Sequence, residues 1–439
     1  MGRALRIRKR KNKNKKNETA SFSRDVEYLE LIQWMKEHGW KPSCKLVSSH
    51  FTKTGRGLMA KERIFAGTAI AKIPYKLLIT VKTVLQSDIK WIFTNKNAFI
   101  TQQVLSAFLV WEHHLGELSV WKKYMNCLPK TFSCPVFCSD IDWLPKTIRE
   151  KVLDMKDKVM KTFNSILNCI GFHKCIHCGI NLSDIFIYDV YLWAWCVVST
   201  RAVYLSPKIN SQNSILLTDE NNLALAPYVD LFNHSYDSEV KAYAVESEGI
   251  YQIETLIPFL KNEQIFINYG PLSNDRLFID YGFIIPSNIQ DDVAFSYENV
   301  LSATNQLFPS NKPINEFRLK FLKQRNLFSK ICCYAGGISW DCQALIYVFI
   351  CSPEVNIEEI KLNIFSDRFK LLCSANIARV AELLLATKYE DYKHELNVLK
   401  QHHSNPAIRE DCFSAACMLY EEHLSLLNKC KTSLKDNKE

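Results

Sequence analysis

A long stretch of helical spacing between two segments of β type most constrains how this chain can fold. From about 98 to 201 apolar residues recur at helical intervals, as in Val104, Phe108 and Trp111, and glycine is almost absent. The segments before and after it, 46–80 and 242–268, consist of short β-like runs, the first of them broken by glycine. Beyond Pro286 helical periods return. The order β, helical, β, helical predicts an α+β chain whose β part is interrupted by a helical insertion.

The individual elements can be predicted within this layout. A helix is expected from Asp25 to His38, with Ser23 as its cap and Val26, Leu29, Ile32 and Met35 or Trp34 as its inward residues. The segment 46–80 resembles a β-meander. In the last third, helical periods are clearest in three segments: Asn315–Gln324, Ser374–Leu385 and Ser414–Leu427.

The net charge of +9 is concentrated at the start of the chain. Residues 1–16 contain nine lysines and arginines and no acid, and removing these nine from the 55 basic residues leaves 46, equal to the number of acids. The body therefore has no basic excess of the kind that a nucleic-acid-binding domain often shows, and no nucleic-acid contact is expected beyond the tail. We expect 1–22 to be a disordered basic tail that acts as a nuclear import signal or a weak polyanion contact.

Hydropathy and cysteine usage indicate the compartment. The longest candidate for a membrane span, Tyr191–Val198, is eight residues long, against the roughly 18 that a bilayer requires. The start lacks the apolar region of a secretory signal, and the sixteen cysteines are scattered. We expect reduced thiols, no membrane association, and a location in nucleus and cytosol.

Four short motifs carry the chemistry. They are, in chain order, Gly55-Arg-Gly-Leu-Met-Ala60, Asp230-Leu-Phe-Asn-His-Ser235, Asn268-Tyr-Gly270 and Asp280-Tyr-Gly-Phe283. Each alone has an ordinary structural explanation: a tight glycine turn, a buried Asn-His pair at strand ends, or an aromatic in the core. The Tyr-Gly pairs nevertheless follow the Asn-His pair within about fifty residues. This order is difficult to attribute to coincidence.

Together the four motifs resemble those of SET-domain protein methyltransferases, and the layout is similar to the Rubisco large-subunit methyltransferase type. The resemblance covers roughly 25–430. It implies a β-rich SET fold at 23–285, split by a helical insertion at about 95–200, and an all-helical substrate-binding lobe at 286–430. One departure is Asn262-Glu263 where the family often has a Gly-Glu turn. Because Asn tolerates a left-handed conformation, we expect the turn to survive.

The resemblance also implies an activity, S-adenosylmethionine-dependent methylation of lysine in proteins, with histones among the candidate substrates. Carried over onto this sequence, the cofactor-binding residues would be Arg56, Gly57, Leu58, Arg201, Asn233, His234 and Tyr269, and the catalytic residues Tyr281 and Tyr269. Arg201 would face the cofactor carboxylate, because guanidinium pairs bidentately with carboxylates. Tyrosine suits a methyl-transfer channel, since its ring lines the channel while its hydroxyl orients the amine.

Three alternatives remain open. The acceptor could be histidine instead of lysine, as in a relative of this architecture, or the chain could be a non-catalytic peptide-binding module of the same fold. The cysteine clusters that bind zinc around many histone-directed SET domains are missing, which weakens the case for a nucleosomal substrate. No metal is predicted, although His173-Lys-Cys-Ile-His-Cys178 offers zinc as an alternative to a loop with ordinary thiols. The oligomeric state cannot be predicted.

Overall fold

A computed structural model describes the residues 21–22, 25–94, 97–205, 217–220, 222–309, 316–352, 354–366, 369, 374–402 and 408–436. The basic run 1–16 lies outside the described residues, so its disorder and its role in import stay predictions. Ser21–Phe22, which were predicted as part of the disordered tail, form a short strand that pairs with His50 and Ser49.

The chain divides into two compact units. The first contains residues 1–132 and 156–270, and the second contains residues 133–155 and 271–439. The predicted domain bounds, 23–285 and 286–430, stay predictions, because a compact unit need not coincide with an inherited domain.

The strands of the first unit form small sheets. Among the described residues, one sheet has the order Ser21–Phe22, Leu46–Phe51, Gly55–Ala60, Gln264–Ile267 and Asn233–His234. A second has the order Thr68–Pro74, Ile250–Thr255 and Val240–Val245, and a third pairs Ala202–Tyr204 with Leu223–Leu225. The expected β-meander over 46–80 is therefore only partly present. Its first two runs pair with each other, but its third pairs with a strand some 180 residues away, because strand pairing is decided by distant partners.

Helices fill the insertion and the C-terminal segment. The α-helices are Val26–Glu37, Val81–Leu85, Lys90–Phe93, Thr101–Leu115, Lys122–Cys127, Lys146–Ile170, Leu182–Ile185, Tyr188–Arg201, Asn274–Arg276, Tyr297–Leu307, Glu316–Gln324, Trp340–Ile350, Ile357–Ile364, Ser374–Gln401 and Glu410–Asp436. Short 3₁₀ turns lie at Tyr75–Leu77, Gly116–Leu118, Pro135–Phe137 and Val229–Leu231. The predicted α+β class, with a helical insertion and a helical C-terminal segment, is confirmed. None of the helices described combines the length and the hydropathy that a bilayer crossing requires.

The first helix differs from its prediction in cap and in buried face. Asp25, not Ser23, is the N-cap: its carboxylate accepts from the backbone N–H groups of Glu27 and Tyr28. Met35 is buried as predicted and Tyr28 is buried as well, whereas Val26 is 66% exposed and Leu29 is 56% exposed. The helical period was identified correctly, but which face is buried depends on packing partners far along the chain.

The second unit has its own core. The two long helices Ser374–Gln401 and Glu410–Asp436 contribute to a continuous apolar cluster that includes Phe278, Val300, Leu345 and Leu419. A small sheet of Val293–Ala294, Cys332–Tyr334 and Gly337–Ile338 accompanies these helices. This sheet was not predicted, because strands of two or three residues are too short to show an alternating pattern.

Candidate functional site

The Asn-His pair lies in a short strand of the first unit. Asn233–His234 runs parallel to Gln264–Ile267, with Phe266 opposite Asn233 and Ile267 opposite His234. Since the partner strand leads directly into Asn268 and Tyr269, this pairing brings the second and third motifs side by side. The register therefore assembles residues that are about 35 positions apart in the sequence.

His234 and Tyr269 form one interlocked pair. The backbone N–H of Tyr269 donates to Nδ1 of His234 at 3.1 Å, and the two rings stack with centroids 5.0 Å apart. The Tyr269 hydroxyl donates to the carbonyl oxygen of Phe232 at 2.6 Å. Because Nδ1 accepts, a neutral His234 carries its proton on Nε2. Both side chains are thus fixed in orientation by the segment 232–234.

A hydrogen bond from Asn233 connects this pair to the glycine-containing strand Gly55–Ala60. Its Nδ2 donates to the carbonyl oxygen of Arg56 at 3.0 Å, with a longer contact of 3.4 Å to that of Thr54. A Cβ on Gly57 would lie 2.8 Å from the same Nδ2 and 2.6 Å from Nε2 of Gln264, so a larger residue would displace these two side-chain amides. Leu58 is fully buried, and its side chain belongs to the core. Any contact that Leu58 makes with a ligand would come from its backbone.

Arg201 holds the start of the Asn-His segment. Its guanidinium donates to the carbonyl oxygen of Asp230 at 2.6 Å, and the hydroxyl of Tyr124 donates to the Asp230 carboxylate at 3.1 Å. Burial raises the pKa of Asp230, while the charges of Arg201 and Arg56 oppose this increase. The charged groups of Arg201 and Arg56 therefore interact with the buried Asp230 carboxyl at the start of the segment 230–234.

Arg56 is also tied to the chain by its side chain. The guanidinium donates to the carbonyl oxygen of Cys127 at 2.6 Å and lies 3.6 Å from the carboxylate of Asp25. Tyr124, Asp25 and the Cys127 carbonyl were not predicted as parts of the site. No local signal identifies them, because they come from separate elements and carry no motif.

Four polar side-chain atoms in this region are buried and have no hydrogen-bond partner within the described part of the chain. They are Nε2 of His234, Nε of Arg201, Nε2 of Gln264 and Oδ1 of Asp230. Buried polar groups are normally paired, so an unpaired set indicates a place for a polar ligand. Three of the four are donors, which suits a ligand that presents carboxylate or heterocyclic acceptors.

Tyr281 lies in the second unit. It ends a short π-helical turn, Leu277–Tyr281, and Gly282 follows in the left-handed conformation with φ +79°. Burial raises the pKa of Tyr281 to about 12, and the neighbouring Asp280 contributes to the increase. The phenol is therefore neutral over the whole physiological range. The structure brings Arg56, Gly57, Leu58, Arg201, Asn233, His234 and Tyr269 together in the first unit, and it places Tyr281 in the second.

Lowering the pH is expected to destabilise the protein through His234. Burial lowers the pKa of His234 from its usual 6.5, and a protonated Nδ1 could no longer accept from Tyr269. The contribution of His234 is thus fully present above about pH 6.5 and is lost as the pH falls through the depressed folded value. We expect the difference in unfolding free energy between wild type and His234→Gln to shrink from about pH 8 to about pH 5.

Urea unfolding at several pH values measures this difference. His50→Gln is the matched control, because His50 is an exposed histidine of the same sheet. A constant difference for His234→Gln over the same range would contradict the prediction.

Comparisons with known proteins agree with this geometry. A family model described as "SET domain" matches residues 55–270. SET domain-containing protein 4 of Homo sapiens is 33% identical over 350 residues, which cover 77% of this chain and 76% of that protein. Actin-histidine N-methyltransferase of Xenopus tropicalis is 28% identical over 281 residues, covering 62% of this chain and 45% of that protein.

A solved structure shows the same fold. The crystal structure of the SET domain of LSMT bound to methyllysine and AdoHcy superposes with a TM-score of 0.63 at 17% identity. The match covers 95% of this chain and 93% of that chain. The likeness therefore extends over the described residues well beyond those that the family model matches.

Proposed function

The chain belongs to the SET-domain family, and on that basis we propose that it is a protein methyltransferase that uses S-adenosylmethionine and modifies lysine. The observation that carries the proposal is that His234 and Tyr269 are joined by a hydrogen bond and ring stacking, while Asn233 is hydrogen-bonded to Arg56 in the strand Gly55–Ala60. These are the positions that the SET motifs assign to the cofactor. Decay of the activity would be expected to strike such residues, and here they are intact.

The residues of the first unit fit the proposed cofactor. Arg201 supplies a cationic donor for its carboxylate, and Nε2 of His234 and of Gln264 supply neutral donors for its heterocycle. Because Gly57 has no side chain, a ligand could approach the backbone of the strand Gly55–Ala60 closely at this position. When bound, S-adenosylmethionine supplies an electrophilic methyl group on a sulfonium. The chain's own residues bind, orient and exclude water, and no metal is needed for such a displacement.

Lysine is the acceptor that we propose, and one observation supports it. The LSMT structure that shares the fold is bound to methyllysine. The similarity to actin-histidine N-methyltransferase keeps histidine as the second candidate acceptor. Lysine must lose its proton before attack, so we expect the rate to rise with pH towards the amine pKa of about 10.4.

The substrate is proposed to be a protein, with both histone and non-histone proteins as candidates. Outside residues 1–16 the chain has no net charge, so long-range attraction of a basic histone tail would be weak. A non-catalytic peptide-binding module is the remaining alternative. It predicts cofactor or peptide binding without transfer.

Labelled methyl transfer tests the proposed function. The wild-type protein is incubated with methyl-labelled S-adenosylmethionine and either purified histones or a cytosolic extract. We expect at least one labelled protein band, and peptide mass spectrometry should place the methyl group on lysine. A methyl group found on histidine would instead show that histidine, and not lysine, is the acceptor.

Asn233→Ala is the matched variant. Removing the Nδ2 donor leaves the Arg56 carbonyl without this hydrogen bond and loosens the contact between segment 233–234 and the strand Gly55–Ala60, at a cost of about 1–3 kcal/mol. We expect cofactor affinity, measured by calorimetry, to fall roughly tenfold or more. Cofactor binding by wild type with no labelled band in any extract would support the non-catalytic alternative instead.

A further inference from the structure

The Cys/His loop of the helical insertion folds tightly around its two cysteines. Cys175 donates its backbone N–H to the carbonyl oxygen of Ile180 at 2.7 Å, and Gly179 donates to that of Cys175 at 2.9 Å. Gly179 takes the left-handed conformation with φ +75°, and Lys174 forms a β-bridge with Asn181. This turn brings Sγ of Cys175 and Sγ of Cys178 within 4.8 Å of each other.

The third member of the cluster comes from another element. Nε2 of His114, at the end of the helix Thr101–Leu115, lies 3.4 Å from Sγ of Cys175 and 3.4 Å from Sγ of Cys178. All three atoms lie within 4.8 Å of one another. Neither cysteine forms a disulfide. His114 is 61 residues upstream of Cys175, so the six-residue motif alone does not reveal it.

Hydrogen bonding accounts poorly for this arrangement. A neutral Nε2 has either one proton or one lone pair, and it cannot make a good bond to two sulfurs at equal distance. A tetrahedral zinc ion accounts for it directly. Zn–S bonds of about 2.3 Å and Zn–N bonds of about 2.0–2.1 Å place the nitrogen about 3.6 Å from each sulfur. The observed separations are close to that value.

The other two histidines of the region have different partners. His173 bonds to the carbonyl oxygen of Ile170 and packs on the ring of Trp91, with centroids 4.3 Å apart. His177 is paired with the carboxylate of Asp88 at 3.0 Å. The motif is thus divided by the fold: its two cysteines join His114, and its two histidines face other groups.

We propose that His114, Cys175 and Cys178 supply three of the four ligands of a tetrahedral zinc ion. Two thiolates and an imidazole favour zinc over magnesium or calcium, which prefer oxygen ligands. Each cysteine gives up its thiol proton on binding. The ion cross-links the end of the helix Thr101–Leu115 to the loop 173–181, so it stabilises the insertion. This role is independent of the proposed methyl transfer.

Metal analysis of the full-length protein tests the site. The reduced protein is incubated with zinc chloride, desalted and analysed by mass spectrometry of the elements. We expect about one zinc ion per chain in the wild type and at least about a tenfold lower content in Cys178→Ser. Cys178 is exposed, so this substitution removes a ligand without disturbing the core. Cys169→Ser is the matched control: this half-buried cysteine accepts from Asn97 at 3.2 Å, and its loss should leave the zinc content unchanged.

Cobalt substitution gives a second measurement that does not depend on a variant. Cobalt chloride added to the reduced wild-type protein should produce thiolate-to-metal charge-transfer bands and the strong visible bands of a tetrahedral site. Wild-type protein without bound zinc and without these bands would overturn the proposal. So would equal zinc content in wild type and Cys178→Ser, or a Cys175–Cys178 disulfide that forms in reducing buffer.

Discussion

Tyr281→Phe is expected to lower the rate of methyl transfer by about 100-fold or more while cofactor affinity stays within about twofold of wild type. The substitution keeps the ring and deletes only the hydroxyl, which we propose orients the amine and the methyl group. Cofactor binding is assigned to residues of the first unit, whereas Tyr281 belongs to the second. Single-turnover transfer and calorimetry on the same preparations measure the two quantities separately.

The pH profile adds an independent readout for Tyr281. Its pKa is raised to about 12, so its hydroxyl stays protonated while the substrate amine titrates. The transfer rate of Tyr281→Phe should therefore rise with pH over the same range as that of the wild type, but it should be lower at every pH. Tyr243→Phe serves as control, because this exposed tyrosine contacts Glu254 and Gln252 on the sheet surface. Wild-type transfer by Tyr281→Phe would remove Tyr281 from the mechanism.

Gly282→Ala is expected to be the most destabilising single substitution that we consider. Gly282 has φ +79°, and a Cβ there would lie 2.4 Å from the backbone nitrogen of Cys134 and 2.5 Å from the carbonyl carbon of Ser133. The left-handed conformation costs alanine about 1–2 kcal/mol, and overpacking adds about 1–3 kcal/mol, because backbone atoms cannot move aside easily. Together we expect a loss of roughly 2–5 kcal/mol in unfolding free energy.

Equilibrium unfolding in urea measures this loss. Gly249→Ala is the matched control, since Gly249 has φ +63° but no atom within 4 Å of its added Cβ. It should lose only the conformational part, about 1–2 kcal/mol. Equal losses of unfolding free energy in Gly282→Ala and Gly249→Ala would contradict the prediction, because the close approach of residues 133–134 to Gly282 would then add nothing to the loss. Transfer should also fall in Gly282→Ala, because Gly282 follows Tyr281 directly and ends the turn that presents it.

The residues of the candidate site that belong to short motifs could be proposed from the sequence, and their role in cofactor binding stays a prediction. Gly57, Asn233, His234 and Tyr269 were identified because each belongs to a run of a few residues whose composition is unusual. Their joining through the parallel pairing of 233–234 with 264–267 could be inferred only through the family resemblance. Spacing alone does not determine which strands pair.

Contacts between distant elements could not be predicted. The hydrogen bond from Tyr124 to Asp230 joins residues 106 positions apart, and neither residue stands in a periodic pattern that indicates the other. The dependence on distant elements also explains why the sequence analysis predicted no metal site at the Cys/His loop 173–178. The Cys/His loop alone favoured ordinary thiols, and only the packing of the helix Thr101–Leu115 adds His114. Long-range packing supplied what local composition could not.

The parallel register of Asn233–His234 with Phe266–Ile267 determines where the chain can change in length without moving the candidate site. Between these two strands the chain makes the hairpin of Val240–Val245 and Ile250–Thr255, which pairs with Thr68–Pro74 in a separate sheet. We expect a longer loop at the tip of that hairpin, around Gly249, to leave unchanged the register that aligns His234 with Tyr269. The length of the hairpin is thus uncoupled from the pairing of 233–234 with 266–267, because the two belong to different sheets.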